Sequence, residues 1–269
     1  MDEKQITRAS EIKADGSTIR VLKYCFAGIN TEIHCLYGHS FYEFKQYRKD
    51  FDKPDIVISI SQDEIDEEKK RHPEISEPDI YVESDRVAVT YDYGFLEPQI
   101  ALRKMADAVL RFNTLLMHSA VVAKDGRSYA FVAPSGVGKS TRAKIWLDEY
   151  PDSFIVNGDK PFIKITENEV LACGSPWSGK EGWNANAEVP LHAVFFIERT
   201  ENAAVVEEVS MGKAFPFLIQ ATHQPLQPEL MLQTIILLKR LEGKIKFFKL
   251  CSAPTPDAIR LAYETARPK

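Results

Sequence analysis

Ala130-Phe-Val-Ala-Pro-Ser-Gly-Val-Gly-Lys-Ser-Thr141 passes from apolar residues into a glycine-bearing turn, a lysine and two hydroxyl residues. Phe131 and Val132 end a buried strand, and a helix follows the Lys-Ser-Thr. That order is the signature of a phosphate-binding loop. Gly136 and Gly138 have no side chains, so the backbone can wrap closely around oxygens. The amides of 136–141 then point inward as a nest at the positive end of the helix. In such loops the lysine, Lys139, carries a full charge to the outer phosphates and the hydroxyl of Ser140 ligates Mg²⁺. Pro134, Ser135, Gly136, Val137, Gly138, Lys139, Ser140 and Thr141 are therefore the candidate nucleotide-binding residues. Ala133 stands where the strictest form of the motif has its first glycine, so the match is to the looser form.

Just upstream, Met117–Ala123 and Ser128–Ala133 are two apolar runs joined through Asp125-Gly126, which predicts a tight hairpin. The strand feeding the loop is then paired antiparallel with the strand before it. Ordinary P-loop folds flank that strand with parallel neighbours reached through crossover helices. Downstream, 141–149 reads as a helix stopped by Pro151, and 153–157 as a buried strand ending in Gly158-Asp159-Lys160. Residues 161–165 and 169–173 form a second hairpin, 174–182 a loop, and 191–198 a strongly apolar strand. The tail reads as helices over 210–221 and 228–242, a strand over 245–250 and a helix over 255–266.

The N-terminal third is mostly β. Strand-like runs fill 17–36 around a turn at Gly28 and Asn30, followed by strands at 55–60, 80–82 and 86–91 and a short helix or loop at 62–70. Residues 1–15 are polar. Apolar spacing from Ile100 to Leu116 predicts one helix with a single buried face, opened by Pro98. The expected fold is α/β: a mixed sheet with a P-loop fed by an antiparallel hairpin, plus an N-terminal β-rich region. The expected domains are 1–97 and 98–269.

A chain of 269 residues, 44% hydrophobic, has ample material for a core, and a net charge of −5 argues against a broad nucleic-acid surface. Cys25, Cys35, Cys173 and Cys251 are far apart and form no Cys-x-x-Cys, as expected of reduced thiols in a cytoplasmic protein. No apolar signal segment opens the chain, and no run approaches the roughly 20 apolar residues of a membrane helix.

Asp159, at a strand end on the same edge as the loop, can hold Mg²⁺ opposite Ser140. His118, beside the loop strand, can relay a proton near pH 7. In the 177–182 loop, Lys180 can neutralise a transferring phosphoryl group, and Glu181 can join the metal shell or act as base. Trp177 and Trp183 argue that this loop is not purely solvated. Glu198 makes a Walker-B-like strand end, though an ordinary strand with a charged terminus is the better reading. His192 and His223 read as structural or surface residues, and no spacing suggests zinc.

Taken in order, the His-bearing strand Met117-His118-Ser119, the loop Pro134–Ser140 and the strand end Val156-Asn-Gly-Asp159 resemble the catalytic domain of HPr kinase/phosphorylase. They also resemble related peptide serine kinases and, more distantly, phosphoenolpyruvate carboxykinase. The resemblance covers about 115–200. It implies Mg²⁺-dependent transfer of a phosphoryl group from ATP to a hydroxyl, commonly serine, on a peptide, protein or small molecule. With the reading of the residues themselves, it leaves Asp159, His118, Lys139, Glu181 and Lys180 as candidate catalytic residues and Ser140 and Asp159 as metal ligands. Relatives form rings or dimers, which leaves a homo-oligomer open; nucleic acid and membrane are not expected partners. In the kinases two adjacent Asp end the strand, one as base and one for the metal. This chain has Gly158-Asp159 or, shifted by one, Asp159-Lys160, so one acid remains. The base then falls to Glu181 or His118, or the chain binds nucleotide without turnover as a sensor module. A transporter-type ATPase using Glu198 would need a Leu-Ser-Gly-Gly-Gln loop, which is absent.

Overall fold

The computed structural model describes residues 10–12, 18–71, 80–83, 86–89 and 96–268. It divides into two compact units, Met1–Ala108 and Val109–Lys269. The boundary expected at 97/98 falls at the first turn of the last helix of the first unit. Among the described residues no helix is long and apolar enough to cross a membrane.

In the first unit, β1 (Ser10–Ile12), β2 (Thr18–Phe26), β3 (Ile29–Cys35) and β4 (Ile56–Ser59) form a sheet in that order. The β2–β3 turn is Ala27-Gly28, both residues at positive φ, as a tight primed hairpin turn requires. Asn30, read from sequence as part of the turn, is instead the second residue of β3. Alternate residues of β3 (Ile29, Thr31, Ile33, Cys35) are buried, and Phe26, Phe41, Phe44 and Tyr47 complete the core beside them. Two helices follow, α1 (Gln62–Arg71) and α2 (Glu97–Ala108). Strands β5 (Ile80–Glu83) and β6 (Arg86–Val89) pair as a small separate hairpin. Of the runs read from sequence, 1–9, 13–15, 17 and 90–91 lie outside the described residues.

The helix expected from Ile100 to Leu116 ends early. After Ala108 the chain tightens into a 3-10 turn, Val109–Phe112, and Asn113 takes a left-handed conformation (φ 53°). Asparagine is one of the few side chains that tolerate this geometry at a helix end. Thr114–Leu116 then forms β7, not a last helical turn. Leu115 and Leu116 carried the helical period past the true end because they are buried strand residues.

The second unit is built on a nine-stranded mixed sheet. To β7 it adds β8 (Ser119–Lys124), β9 (Arg127–Val132), β10 (Phe154–Asn157), β11 (Phe162–Ile165), β12 (Val170–Cys173), β13 (Glu188–Glu198), β14 (Val205–Glu208) and β15 (Lys246–Cys251). Its helices are α3 (Lys139–Glu149), α4 (Met211–Ala221), α5 (Pro228–Lys239) and α6 (Pro256–Ala266). The β8–β9 hairpin turns on Asp125 and Gly126, at φ 51° and 71°, as the Asp-Gly pair predicts. Strand order is β10-β8-β9-β13-β12-β11-β7, with β15 on the far half of β13 and β14 at its edge. β9, β13 and β15 run parallel, while β8 is antiparallel to both β9 and β10.

The two ends of this strand order are one piece of chain. β7 continues into β8, and β10 into β11, so 114–124 and 154–165 make a single antiparallel ribbon that curls the sheet. Between the paired halves the Met117 N–H donates to the Pro161 carbonyl and the Ser119 N–H to the Asp159 carbonyl, both at 3.1 Å. Side chains alternate between two cores. Val121, Ala130, Val132, Val194 and Phe196 pack with α4 and α5; Val122, Tyr129, Phe131, Phe195 and Phe248 pack with α3 and α6. Burial on both faces explains why these strands read as continuous apolar runs. β14 escaped the sequence reading because none of its four residues is buried.

Candidate active site

β9, β10, β13 and β15 all point their C-terminal ends to one edge of the sheet, where open α/β sheets place their ligands. At that edge β9 runs into the loop 133–138, and α3 starts at Lys139. Gly136 and Gly138 take φ of 81° and 100°, a left-handed region open to glycine and strained for other residues. The Lys139 side chain is 7% exposed, with Nζ donating to the carbonyls of Ala133 (2.9 Å) and Pro134 (3.4 Å). Burial pushes the Lys139 pKa below the usual lysine range; the nearby Asp159 carboxylate opposes this and Lys160 adds to it. A buried ammonium held only by loop carbonyls, among half-open backbone, suits an anionic ligand.

Beneath the loop lies Arg142, fully buried in the first turns of α3. Its guanidinium donates to the carbonyls of Val137 (3.2 Å), Gly138 (3.4 Å) and, past the end of β15, Ser252 (2.6 Å). Arg142 therefore fixes the two loop residues that precede Lys139. The motif reading passed over it because its position is not part of the motif.

His118 sits between β7 and β8, not within a strand, at the middle of the curled ribbon. Its backbone N–H donates to Ala221 at the end of α4 (2.6 Å), and its Nε2 lies 3.0 Å from Asp159 Oδ1. Lys160 Nζ is 3.6 Å from Asp159 Oδ2. Burial works against the Asp159 carboxylate, but the hydrogen bond from His118 and the charges of Lys160, His118 and Lys139 outweigh it. They hold its pKa below the usual range. Asp159 and Lys139 are thus electrostatic neighbours, and His118 joins them.

The turn that carries Asp159 is clamped by Asn157, a fully buried residue the sequence reading treated only as a strand end. Asn157 Oδ1 accepts from the N–H of Asp159 (2.8 Å) and of Lys160 (2.7 Å). Its Nδ2 donates to the Ser175 carbonyl (2.8 Å), and Ser175 Oγ donates to the Lys160 carbonyl (2.6 Å). An Asn two residues before an Asp, in Asn-Gly-Asp at a strand end, was the available signal, since Asn side chains fold back on backbone N–H groups this way. Gly158 sits close under the loop that follows β12: a Cβ there would meet the Ser178 carbonyl at 3.0 Å and the Trp183 carbonyl at 3.4 Å, so those carbonyls would have to give way.

The loop after β12 folds over this turn. Trp177 is buried, edge-on to Phe162, and the Trp183 carbonyl accepts from the Gly158 N–H (2.8 Å). Lys180 and Glu181 are exposed on it. The position a Cβ on Gly179 would take lies 3.6 Å from the Asp159 carboxyl carbon and 3.7 Å from Glu181 Oε2, so both carboxylates flank Gly179. Glu198, at the C-terminal end of β13, is exposed and pairs with Lys249 (2.6 Å), and His192, nearer the start of β13, bonds the Ala266 carbonyl (2.8 Å). Among the described residues no cluster of three or more His, Cys, Asp or Glu is placed to hold a metal. The oxygen donors near the loop are the half-buried Ser140 and Asp159. Two such donors suit a hard cation that keeps most of its water or phosphate ligands, as Mg²⁺ does.

One cavity opens beside this cluster, about 340 Å³ in volume. His118, Val132, Ala133 and Pro134 form one side, Phe196 and Ile197 of β13 the floor, and Phe217, Gln220 and Ala221 of α4 the other side.

No family profile matches the chain, and no curated protein matches it. Among solved structures, the Hpr(Ser) kinase/phosphatase from Coxiella burnetii is similar over 55% of this chain and 91% of that one. The identity is 10% and the TM-score 0.33. A likeness so distant carries no argument about the chemistry of this chain.

Proposed function

We propose that this chain is a Mg²⁺–ATP-dependent phosphotransferase that phosphorylates a hydroxyl, serine above all, on a peptide, protein or small molecule. The observation that carries the reading is the His118–Asp159 pair at 3.0 Å, within electrostatic reach of a buried Lys139 in a glycine-bearing strand–loop–helix. The loop amides and Lys139 bind the nucleotide phosphates, making 133–141 a P-loop. Ser140 and Asp159 are the residues that would hold Mg²⁺, which supplies charge neutralisation at the outer phosphates.

With Nε2–H donating to Asp159, His118 would present Nδ1 to accept a proton. The acceptor hydroxyl gives its proton to Nδ1 as its oxygen bonds the γ-phosphorus. The bond from that phosphorus to the bridging oxygen breaks, and ADP leaves. Asp159 stabilises the imidazolium that forms, as a carboxylate does behind a catalytic histidine. Glu181, which flanks Gly179 together with Asp159, is the alternative base, and Lys180, exposed on the same loop, would neutralise the transferring phosphoryl group. The test is label transfer from γ-labelled ATP to serine peptides: transfer that is lost in Lys139→Ala supports the reading, and intact nucleotide binding without transfer refutes it.

The packing at Gly158 favours a second reading. A Cβ at position 158 would press on the Ser178 and Trp183 carbonyls, which works against a second acid there, as suits a nucleotide-binding regulatory module with little turnover. That reading expects nucleotide binding with ATP consumption at background, and is refuted by turnover that depends on Lys139.

A further inference from the structure

We infer that the cavity walled by His118, Phe196, Ile197, Phe217 and Gln220 is the acceptor pocket, and that it takes an uncharged acceptor whose hydroxyl is carried next to an aromatic or branched aliphatic group. This rests on the phosphotransferase reading. The position of the cavity separates it from the nucleotide. It touches Ala133 and Pro134, at the entry of the loop, whereas the amides that would hold phosphates belong to 136–141. It also touches His118, whose imidazole contacts Asp159 by Nε2. A hydroxyl held there meets the imidazole, and the rest of the molecule extends over β13 toward α4.

The walls specify the chemistry. Among the described residues no Asp, Glu, Lys or Arg lines the cavity, and the polar side chains on it are His118 and Gln220. A charged acceptor would lose its hydration without a partner. Phe217 is 47% exposed, and its ring stacks on Phe196 with centroids 5.1 Å apart. An aromatic left open at a cavity mouth keeps apolar surface in water that an apolar ligand would cover. Gln220, one helical turn further along α4, can donate to or accept from a single uncharged polar group. A volume of about 340 Å³ suits one ring or branched side chain together with its hydroxyl-bearing unit. The same chemistry can come from a serine beside an apolar residue in a peptide or from a small aryl alcohol.

The experiment uses the full chain, ¹³C-methyl-labelled, titrated with benzyl alcohol and with glycerol as the hydroxyl compound without an apolar body. The expected result is shifts at the Val132, Ala133, Ile197 and Ala221 methyls with benzyl alcohol and none with glycerol. Phe217→Ser should weaken benzyl alcohol binding about tenfold. Equal response to both compounds, or shifts elsewhere, overturns the inference. Transfer assays with Ser-Phe and Ser-Gly dipeptide amides and benzyl alcohol then separate peptide from small-molecule acceptors. Preference for Ser-Phe over Ser-Gly, lost in Phe217→Ser at unchanged ATP KM, identifies the peptide source. Preference for benzyl alcohol over both peptides identifies the small molecule. Transfer with equal kcat/KM to all three sinks the pocket while the phosphotransferase stands. With no transfer at all the phosphotransferase falls, and the methyl shifts alone decide the cavity.

Discussion

Replacing Asn157 with alanine removes the clamp behind Asp159 without touching the loop. The Asn157 amide makes three short hydrogen bonds to backbone, at 2.7 Å and twice at 2.8 Å, from a fully buried position. Each is worth about 1 kcal/mol net, and the stranded carbonyl and N–H groups raise the cost, so Asn157→Ala should lose about 3 kcal/mol. In a unit of this size that lowers Tm by about 6–12 °C. Urea unfolding followed by tryptophan fluorescence reads it cleanly, because Trp146, Trp177 and Trp183, the chain's three tryptophans, all lie in Val109–Lys269. Asn157→Asp keeps the acceptor oxygen but turns a carboxylate toward the Ser175 carbonyl, so it should not rescue. A loss below about 1 kcal/mol for Asn157→Ala, or full stability in Asn157→Asp, would refute the clamp.

Lys139→Ala should raise the ATP Kd by more than tenfold while the fold survives, read by calorimetry and circular dichroism, since a buried ammonium is removed from an anion cradle. Gly174→Ala should fail to fold the second unit, because its Cβ would stand 1.7 Å from the Ala185 carbonyl oxygen; a soluble variant with native fluorescence would contradict this. Asp159 has a folded-state pKa below its unfolded value of about 3.9. Its contribution to stability is therefore full above that unfolded value and disappears as pH falls through the folded one. Urea midpoints over this acid range should slope less in Asp159→Asn than in the parent, and identical slopes would exclude a stabilised carboxylate.

Sequence alone made the loop and the hairpin before it legible, because glycine placement and the Asp-Gly turn are local requirements of the backbone. Helices α3 to α6 were readable for a similar reason, each carrying apolar residues at helical spacing or a clear stop. The end of α2 was not, since buried strand residues 114–116 prolong its helical period and the left-handed Asn113 that ends it leaves no unambiguous mark. The curled ribbon was hidden too: that β7 and β11 pair beyond β8 and β10 depends on contacts some 50 residues apart in the chain. Of the site, Lys139, Asp159 and His118 were nameable one by one, but not the 3.0 Å pairing of the last two. The cavity could not be foreseen, because Phe217 and Gln220 come from a helix that reads as an ordinary core helix until its exposed face is seen. Gly158 looked like a missing acid; the Ser178 and Trp183 carbonyls close against it mean that a side chain there would press on them.

The most direct test of the phosphotransferase reading is to incubate the protein with γ-labelled Mg²⁺–ATP and serine-containing peptides and identify the labelled product. The predicted result is label on a serine hydroxyl with matching ADP, abolished in Lys139→Ala and in His118→Ala. Nucleotide that binds tightly while the label stays on ATP would contradict it.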